Sequence, residues 1–488
     1  MANATKKTAA IALAAGLALS GSAGIAAPIA GAQTTVDAGN GSTTSYSLTV
    51  QKRGGDWQDT PGYEGGAVDS VPGTELGQGF KFKIEQVTPA AGDINNASAA
   101  ARVKDGVTAE GVTDSTGAVK FNNLPAGVYR VSETGVPEDS NYVTGPAFLV
   151  SVPVTKQDGT ENINEVTVYP KNTKTTVEKS VVDEDKNSGD TVTYTITANA
   201  PVVPAGNTLT SFAVQDAYRA DELGDVTVAS VKVNGQEVDS GDYEVVDGTI
   251  QGGPADADTT KTINFVGDGL ELVSQQQAAK VEVTLKAKLK PLVDGAVVNN
   301  ARSIVRGPNT SSDSTPKETP WDDVTTYLGK LKLQKTNTSG APLQGATFDL
   351  YRCSADGKLS GDAIETEVSD QDGIVNFDKS LHVTDYINDA EVPEPTKRYC
   401  AVEKKAPAGY QRLTNPVVIS FTREDLTEDF TTTAGATIQQ VQKTEKVINS
   451  NQPTLPSTGG MGVVLLALAG LAIVGGGVYA ARRNSKVA

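Results

Sequence analysis

Thr191-Val192-Thr193-Tyr194-Thr195-Ile196 alternates polar and apolar side chains with a period of two. Successive side chains of a β-strand point to opposite faces, so such a run buries one face and wets the other. Val281-Glu282-Val283-Thr284-Leu285-Lys286 repeats the pattern. Around these runs Thr and Val are abundant, aromatics are only 5% of the chain, and 49 Gly and 23 Pro supply turns at short intervals. Long amphipathic helices are missing. The pattern predicts an all-β chain built of sandwiches.

Both ends carry processing signals. Lys6-Lys7 precede an apolar run from Thr8 to Leu19, and Ala30-Gly31-Ala32 is a small-x-small cleavage site. That order is a secretory signal peptide. At the other end Leu455-Pro456-Ser457-Thr458-Gly459 precedes an uncharged stretch from Met461 to Ala481, then Arg482, Arg483 and Lys486. The stretch can cross a hydrocarbon core of roughly 30 Å. The basic residues hold the short tail inside, leaving the pentapeptide outside. Gly475-Gly476-Gly477 makes a poor permanent helix and favours a temporary anchor. The ensemble resembles the sorting signal of Gram-positive surface proteins. The resemblance implies that a sortase cysteine attacks the Thr458 carbonyl, releases Gly459 onward and passes the acyl group to an amine.

Removing both ends takes away five basic residues and no acids, so the net charge moves from −17 to −22. So acidic a chain excludes nucleic-acid binding and suits solubility outside the cell. In an exported chain the two cysteines, Cys353 and Cys400, are expected as a disulfide, worth roughly 4 kcal/mol by loop entropy.

The mature span, Gln33 to Thr458, is long enough for two to four domains. An internal repeat divides it. Leu48-x-Val50-x-Lys52 matches Leu331-x-Leu333-x-Lys335, and Asp114-x-x-Gly117-x-Val119-x-Phe121 matches Asp370-x-x-Gly373-x-Val375-x-Phe377. Tyr129 stands four before Glu133 and eight before Pro137, as Tyr399 stands before Glu403 and Pro407. The expected order is a signal peptide at 1–32, a first domain at 33–172, a middle domain at 173–306, a Pro/Ser/Thr/Asp-rich linker at 307–326, a third domain at 327–452 and the sorting tail at 455–488.

Tyr399-Cys400-Ala401-Val402-Glu403-Lys404-Lys405-Ala406-Pro407-Ala408-Gly409-Tyr410 looks like the E-box of sortase-assembled pilins, with Lys404 where Thr is usual. Val166-Thr167-Val168-Tyr169-Pro170-Lys171-Asn172 looks like their pilin motif, without the upstream tryptophan. The whole chain therefore resembles the shaft pilins of Gram-positive pili, of the corynebacterial SpaA and SpaD type. The resemblance implies three tandem immunoglobulin-like sandwiches, the outer two like collagen-adhesin type B domains and the middle one like type A. It implies that Lys171 receives Thr458 of the next subunit. Pro170, which cannot donate to a ladder, is expected to leave the backbone around Lys171 exposed.

Internal Lys–Asn isopeptide bonds are implied as well. Such a bond needs a neutral amine, a carboxamide and a protonated acid together in an apolar pocket, where burial lowers the lysine pKa and raises that of the acid. Proximity then replaces an external enzyme. The expected sets are Lys335, Asn449 and Glu403 in the third domain, Lys179, Asn300 and Asp216 in the middle one, and Lys52, Asn172 and Glu133 in the first, where Asn164 or Asn162 could stand in for Asn172. The Lys-to-Asn separations of 114, 121 and 120 residues suit a first-to-last-strand link in each.

Other chemistry lacks residues. One histidine, His382, in a polar stretch, makes a Ser-His-Asp hydrolase untenable. No His or Cys cluster suits a metal. Asp183-Glu184-Asp185-Lys186-Asn187-Ser188-Gly189-Asp190 has its Gly one place late for a calcium loop and reads as a solvated hairpin turn. No cofactor and no enzymatic activity are expected. The implied partners are pilin-specific and housekeeping sortases, identical subunits, tip and base pilins, peptidoglycan and a host-cell surface. The competing reading is a monomeric wall-anchored adhesin on the same stalk.

Overall fold

The computed structural model describes residues 33–35, 45–55, 63–91, 96–156, 158–203, 207–275, 277–291, 295–308, 316–426, 429–431, 437–439 and 442–451. The signal peptide and the sorting tail lie outside the described residues. The chain divides into two compact units, one holding residues up to Gly54, Asp59–Pro137 and Ala147–Lys171, the other Gly55–Gln58, Glu138–Pro146 and everything from Asn172.

The strands that carry the argument are numbered here in chain order. In the first unit they are β1 (Tyr46–Gln51), β2 (Lys81–Thr88), β3 (Ala118–Leu124), β4 (Gly127–Gly135) and β5 (Glu165–Val168). β1 lies between β3, antiparallel with Val50 opposite Val119, and β5, parallel with Val50 opposite Val168. The first and last of these strands are thus neighbours. β2 pairs antiparallel with β4 in a second sheet. Alternation places Leu48, Val50, Phe82, Ile84, Phe121, Val131 and Val166 inside, all buried.

In the second unit the strands are β6 (Thr176–Val182), β7 (Thr191–Asn199), β8 (Leu209–Tyr218), β9 (Lys280–Leu289), β10 (Ala296–Pro308), β11 (Asp322–Asn337), β12 (Thr347–Ser354), β13 (Lys397–Lys405) and β14 (Gln442–Asn449). β6, β7 and β9 form one sheet in that order, and β8, β10 and β11 stand side by side in another. Val192, Tyr194 and Ile196 from the first meet Phe212, Val214 and Val297 from the second in one core. A second core gathers Leu331, Leu333, Phe348, Tyr399 and Val447 around β11 to β14.

β11 serves both cores. Its first residues, Asp322 to Tyr327, pair antiparallel with Ala301 to Ala296 of β10. From Lys330 to Asn337 it pairs parallel with all of β14. Within the segment expected as a linker at 307–326, Lys317–Glu318 pairs with β10 and the residues from Asp322 on belong to β11. Composition reads as linker because the segment is polar, yet the strand edges of β10 capture its backbone.

The turn between β6 and β7 also departs from expectation. It is docked, not solvated. Asp183 is fully buried; Asn388 N–H donates to its Oδ1 (2.7 Å), Thr326 Oγ1 donates to its Oδ2 (2.6 Å), and His382 Nε2 lies 3.4 Å from that oxygen. Asn187 Oδ1 accepts from Tyr399 Oη and from His382 N–H, each at 3.1 Å. Cys353 on β12 and Cys400 on β13 form the disulfide, with Cα atoms 5.8 Å apart.

Candidate functional site

Lys335, Glu403 and Asn449 come together. They lie on β11, β13 and β14, and all three are buried. The parallel register sets Lys335 opposite Val447, whose carbonyl accepts from Nζ at 3.2 Å, and leaves Asn449 two residues further on. Asn449 Nδ2 donates to both Glu403 carboxyl oxygens, at 2.8 and 3.1 Å, while its Oδ1 has no hydrogen-bond partner. Leu413 N–H fixes Glu403 Oε2 at 2.8 Å. Burial pushes the Lys335 amine down to about 8, against the opposing pull of Glu403. The amine is therefore readily neutral, and the amide nitrogen that would leave already sits on the acid.

The middle site pairs Lys179 on β6 with Asp216 on β8, neither side chain reached by solvent. Burial pushes the lysine down and the aspartate up, each partly opposed by the other's charge. A neutral amine beside a protonated acid is favoured in so dry a place. The carboxamide that stands beside this pair is that of Asn299, while the side chain of the expected Asn300 is turned away from it. Val297, Asn299 and Ala301 face the core, whereas Asn300 points the other way and donates through Nδ2 to the Ala217 and Pro254 carbonyls, at 3.3 and 3.5 Å. Only the backbone carbonyl of Asn300 reaches Lys179 Nζ (3.3 Å). Asn299 is fully buried and close enough to act on both Asp216 and Tyr194, yet neither of its amide atoms makes a hydrogen bond of good geometry. Native cores rarely leave a carboxamide so unsatisfied. Sequence reasoning singled out neither Asn299 nor its neighbour Tyr194. A signal for the first existed: Arg302 and Arg306 must face outward on this strand, and Asn300 shares their parity.

In the first unit Lys52 Nζ lies 3.2 Å from Glu133 Oε1, with both side chains out of solvent. The amine also stands 5.7 and 5.6 Å from the ring centres of Phe80 and Phe82. Burial lowers its pKa, with Glu133 opposing. Asn172, in the second unit, is fully buried.

The strand around Pro170 is held rather than open. Arg53 N–H donates to the Pro170 carbonyl (3.0 Å), Tyr63 Oη donates to the Thr167 carbonyl (2.5 Å), and Tyr169 Oη accepts from Val68 N–H (2.9 Å). Lys171 itself is only 3% exposed. The expectation of an open backbone and presented lysine is thus corrected: Pro170 withholds a donor, but its carbonyl still pairs. Thr458 and the rest of Leu455–Gly459 lie outside the described residues.

Tandem β-sandwiches with buried lysine–acid sites, ahead of a wall-anchor signal, define a structural surface subunit. The chain belongs to the Gram-positive pilins. The pilin subunit D1 N-terminal domain model matches residues 74–173, a prealbumin-like fold domain 329–436, and the LPXTG cell wall anchor motif 448–486. The structure of the full-length major pilin SpaD from Corynebacterium diphtheriae is similar at 30% identity and a TM-score of 0.66, covering 84% of this chain and 98% of that one. The fimbrial subunit type 1 of Actinomyces viscosus is 28% identical over 77% of this chain and 76% of its own length. The type 2 subunit of Actinomyces naeslundii is 28% identical over 75% and 70%. This chain is a shaft subunit of a cell-wall-anchored surface pilus.

Proposed function

We propose that pilin sortase joins the Thr458 carbonyl of one subunit to Lys171 Nζ of the next, that the housekeeping sortase ends the polymer on peptidoglycan, and that three internal amides harden each subunit. The internal links are Lys335–Asn449, Lys179–Asn299 and Lys52–Asn172, formed without an enzyme and promoted by Glu403, Asp216 and Glu133. The observation that carries this reading is the Lys335 site: an amine near neutrality, a carboxamide and an acid in one dry pocket.

The chemistry balances within the chain. Neutral lysine Nζ adds to asparagine Cγ, the acid takes a proton from Nζ and gives one to Nδ2, the Cγ–Nδ2 bond breaks, and ammonia leaves. Holding the three groups together removes the entropy of a bimolecular encounter. The sequence repeat supports Lys52 and Glu133 as the counterparts of Lys335 and Glu403, and the similar Lys-to-Asn spacing supports Asn172 as the partner of Lys52.

Lys171 is buried, so its strand end must open locally before its amine can attack a sortase acyl-enzyme. Intact mass of the ectodomain tests the internal links: one ammonia is missing for each. A full-mass ectodomain contradicts them, and linked peptides in a digest assign each pair.

A further inference from the structure

We propose that Tyr194 is a catalytic residue of the middle site, its hydroxyl donating a hydrogen bond to Asn299 Oδ1 as the tetrahedral intermediate forms. This rests on the reading of Lys179, Asp216 and Asn299 as a bond-forming set.

Tyr194 enters the core from β7, one strand over from Lys179, with Val181 opposite it in the ladder. Lys179 Nζ stands 5.2 Å from the centre of its ring. The hydroxyl is buried and makes no hydrogen bond of good geometry, and the same holds for Asn299 Oδ1 and Asp216 Oδ2, although Asn299 lies close enough to act on both Tyr194 and Asp216. A buried tyrosine hydroxyl normally finds a partner. Three orphaned polar groups around one buried amine are costly in the resting fold, and the reaction gives them work.

When the Lys179 nitrogen adds to Asn299 Cγ, the carbonyl π pair moves onto Oδ1. That oxygen then needs a donor. Asp216 is committed to proton traffic: it accepts the proton of Nζ through Oδ1 and delivers one to Nδ2, so that ammonia departs and a secondary amide remains. Tyr194 supplies a second donor that neither gains nor loses its proton. Burial pushes its pKa far above the ordinary phenol value, so the hydroxyl stays a donor throughout the working range. A fixed dipole aimed at developing charge in a water-free pocket lowers the barrier without stabilising the starting state.

The test uses the mature ectodomain recovered unfolded in urea, with unreacted mass verified at time zero, then diluted to refold. Ammonia loss and the peptide joining Lys179 to Asn299 are followed by mass spectrometry. Tyr194→Phe is expected to slow the middle link on the order of 10²-fold, the usual effect of deleting one oxyanion donor, while Lys335–Asn449 forms at the wild-type rate in the same molecules. Removing an orphaned hydroxyl should otherwise favour the fold, so a link that forms at an unchanged or higher rate overturns the proposal. Should the Phe variant fail to fold, a fluorotyrosine placed at 194 keeps the shape and strengthens the donor. It is expected to speed the link, and an unchanged rate again overturns the proposal. A wild-type chain that never joins Lys179 to Asn299 overturns the site assignment itself, and the role of Tyr194 with it.

Discussion

Lys335 brings together, in one buried pocket, the amine, carboxamide and acid that the proposed amide needs. Glu403→Gln keeps the shape of the pocket but removes its acid. The expected result is one ammonia retained in the intact mass and a loss of roughly 5 kcal/mol in denaturant unfolding, the loop entropy of a link closing more than a hundred residues. In Asn449→Ala the amine stays unreacted, and its titration becomes visible. The folded amine loses its proton near 8, the unfolded one near 10.5. The unfolded state binds more protons between those values, so stability should rise as pH climbs through that window. A flat profile would contradict the buried, depressed amine. The third-domain set was legible in sequence because the repeat placed Lys335 and Glu403 in fixed positions, and Asn449 sat in the last apolar strand. Asn299 was harder. Two adjacent asparagines face opposite sides of one strand, and only the outward arginines at 302 and 306 set the phase. Burial of Lys171 was not legible, because the strand end it follows is held by a distant partner, Arg53, more than a hundred residues earlier, which pairs with the Pro170 carbonyl.

At the scale of elements, β11 and the β6–β7 turn join the two cores of the second unit. One strand of 16 residues belongs to both sheets, and the turn seats Asp183 between Thr326, His382 and Asn388. Burial alone would raise the Asp183 pKa, but the nearby His382 and the hydrogen bonds from Thr326 and Asn388 outweigh it and hold it low. The contact should be fully formed at neutral pH and fail as pH drops below the ordinary carboxylate range. Asp183→Ala is expected to cost about 3 kcal/mol, since it strands a buried histidine and two donors. Hydrogen exchange at Asn388 should speed up in that variant, and unchanged protection would contradict the role given to the turn. Alternation made most strands readable, β7 above all. The docked turn was opaque because its acids and Asn187 look like solvent-facing residues, and their partners lie some two hundred positions downstream.

For the whole molecule, chain order decides which parts bear load. In the proposed polymer, tension enters at Lys171 and leaves at Thr458, so the middle and third domains lie on the path. The proposed link between Lys52 and Asn172 would lie beside it. Its expected effect is on Lys171, the residue preceding Asn172, and Glu133→Ala should therefore slow polymerisation, read as a weaker detergent-stable ladder at equal surface expression. A ladder of wild-type strength with the link abolished would contradict that coupling. The sorting tail and the repeat made the wall-anchored, multi-domain plan readable from sequence, since both are local signals. The sharing of β11 was not, because a polar stretch and a strand have the same composition when a neighbouring sheet edge supplies the partners. The central claim is the covalent joint between subunits. Digesting assembled fibres and sequencing the branched peptides tests it most directly: the account predicts the Thr458 carbonyl on Lys171 Nζ, and a branch at any other amine, or none, contradicts it.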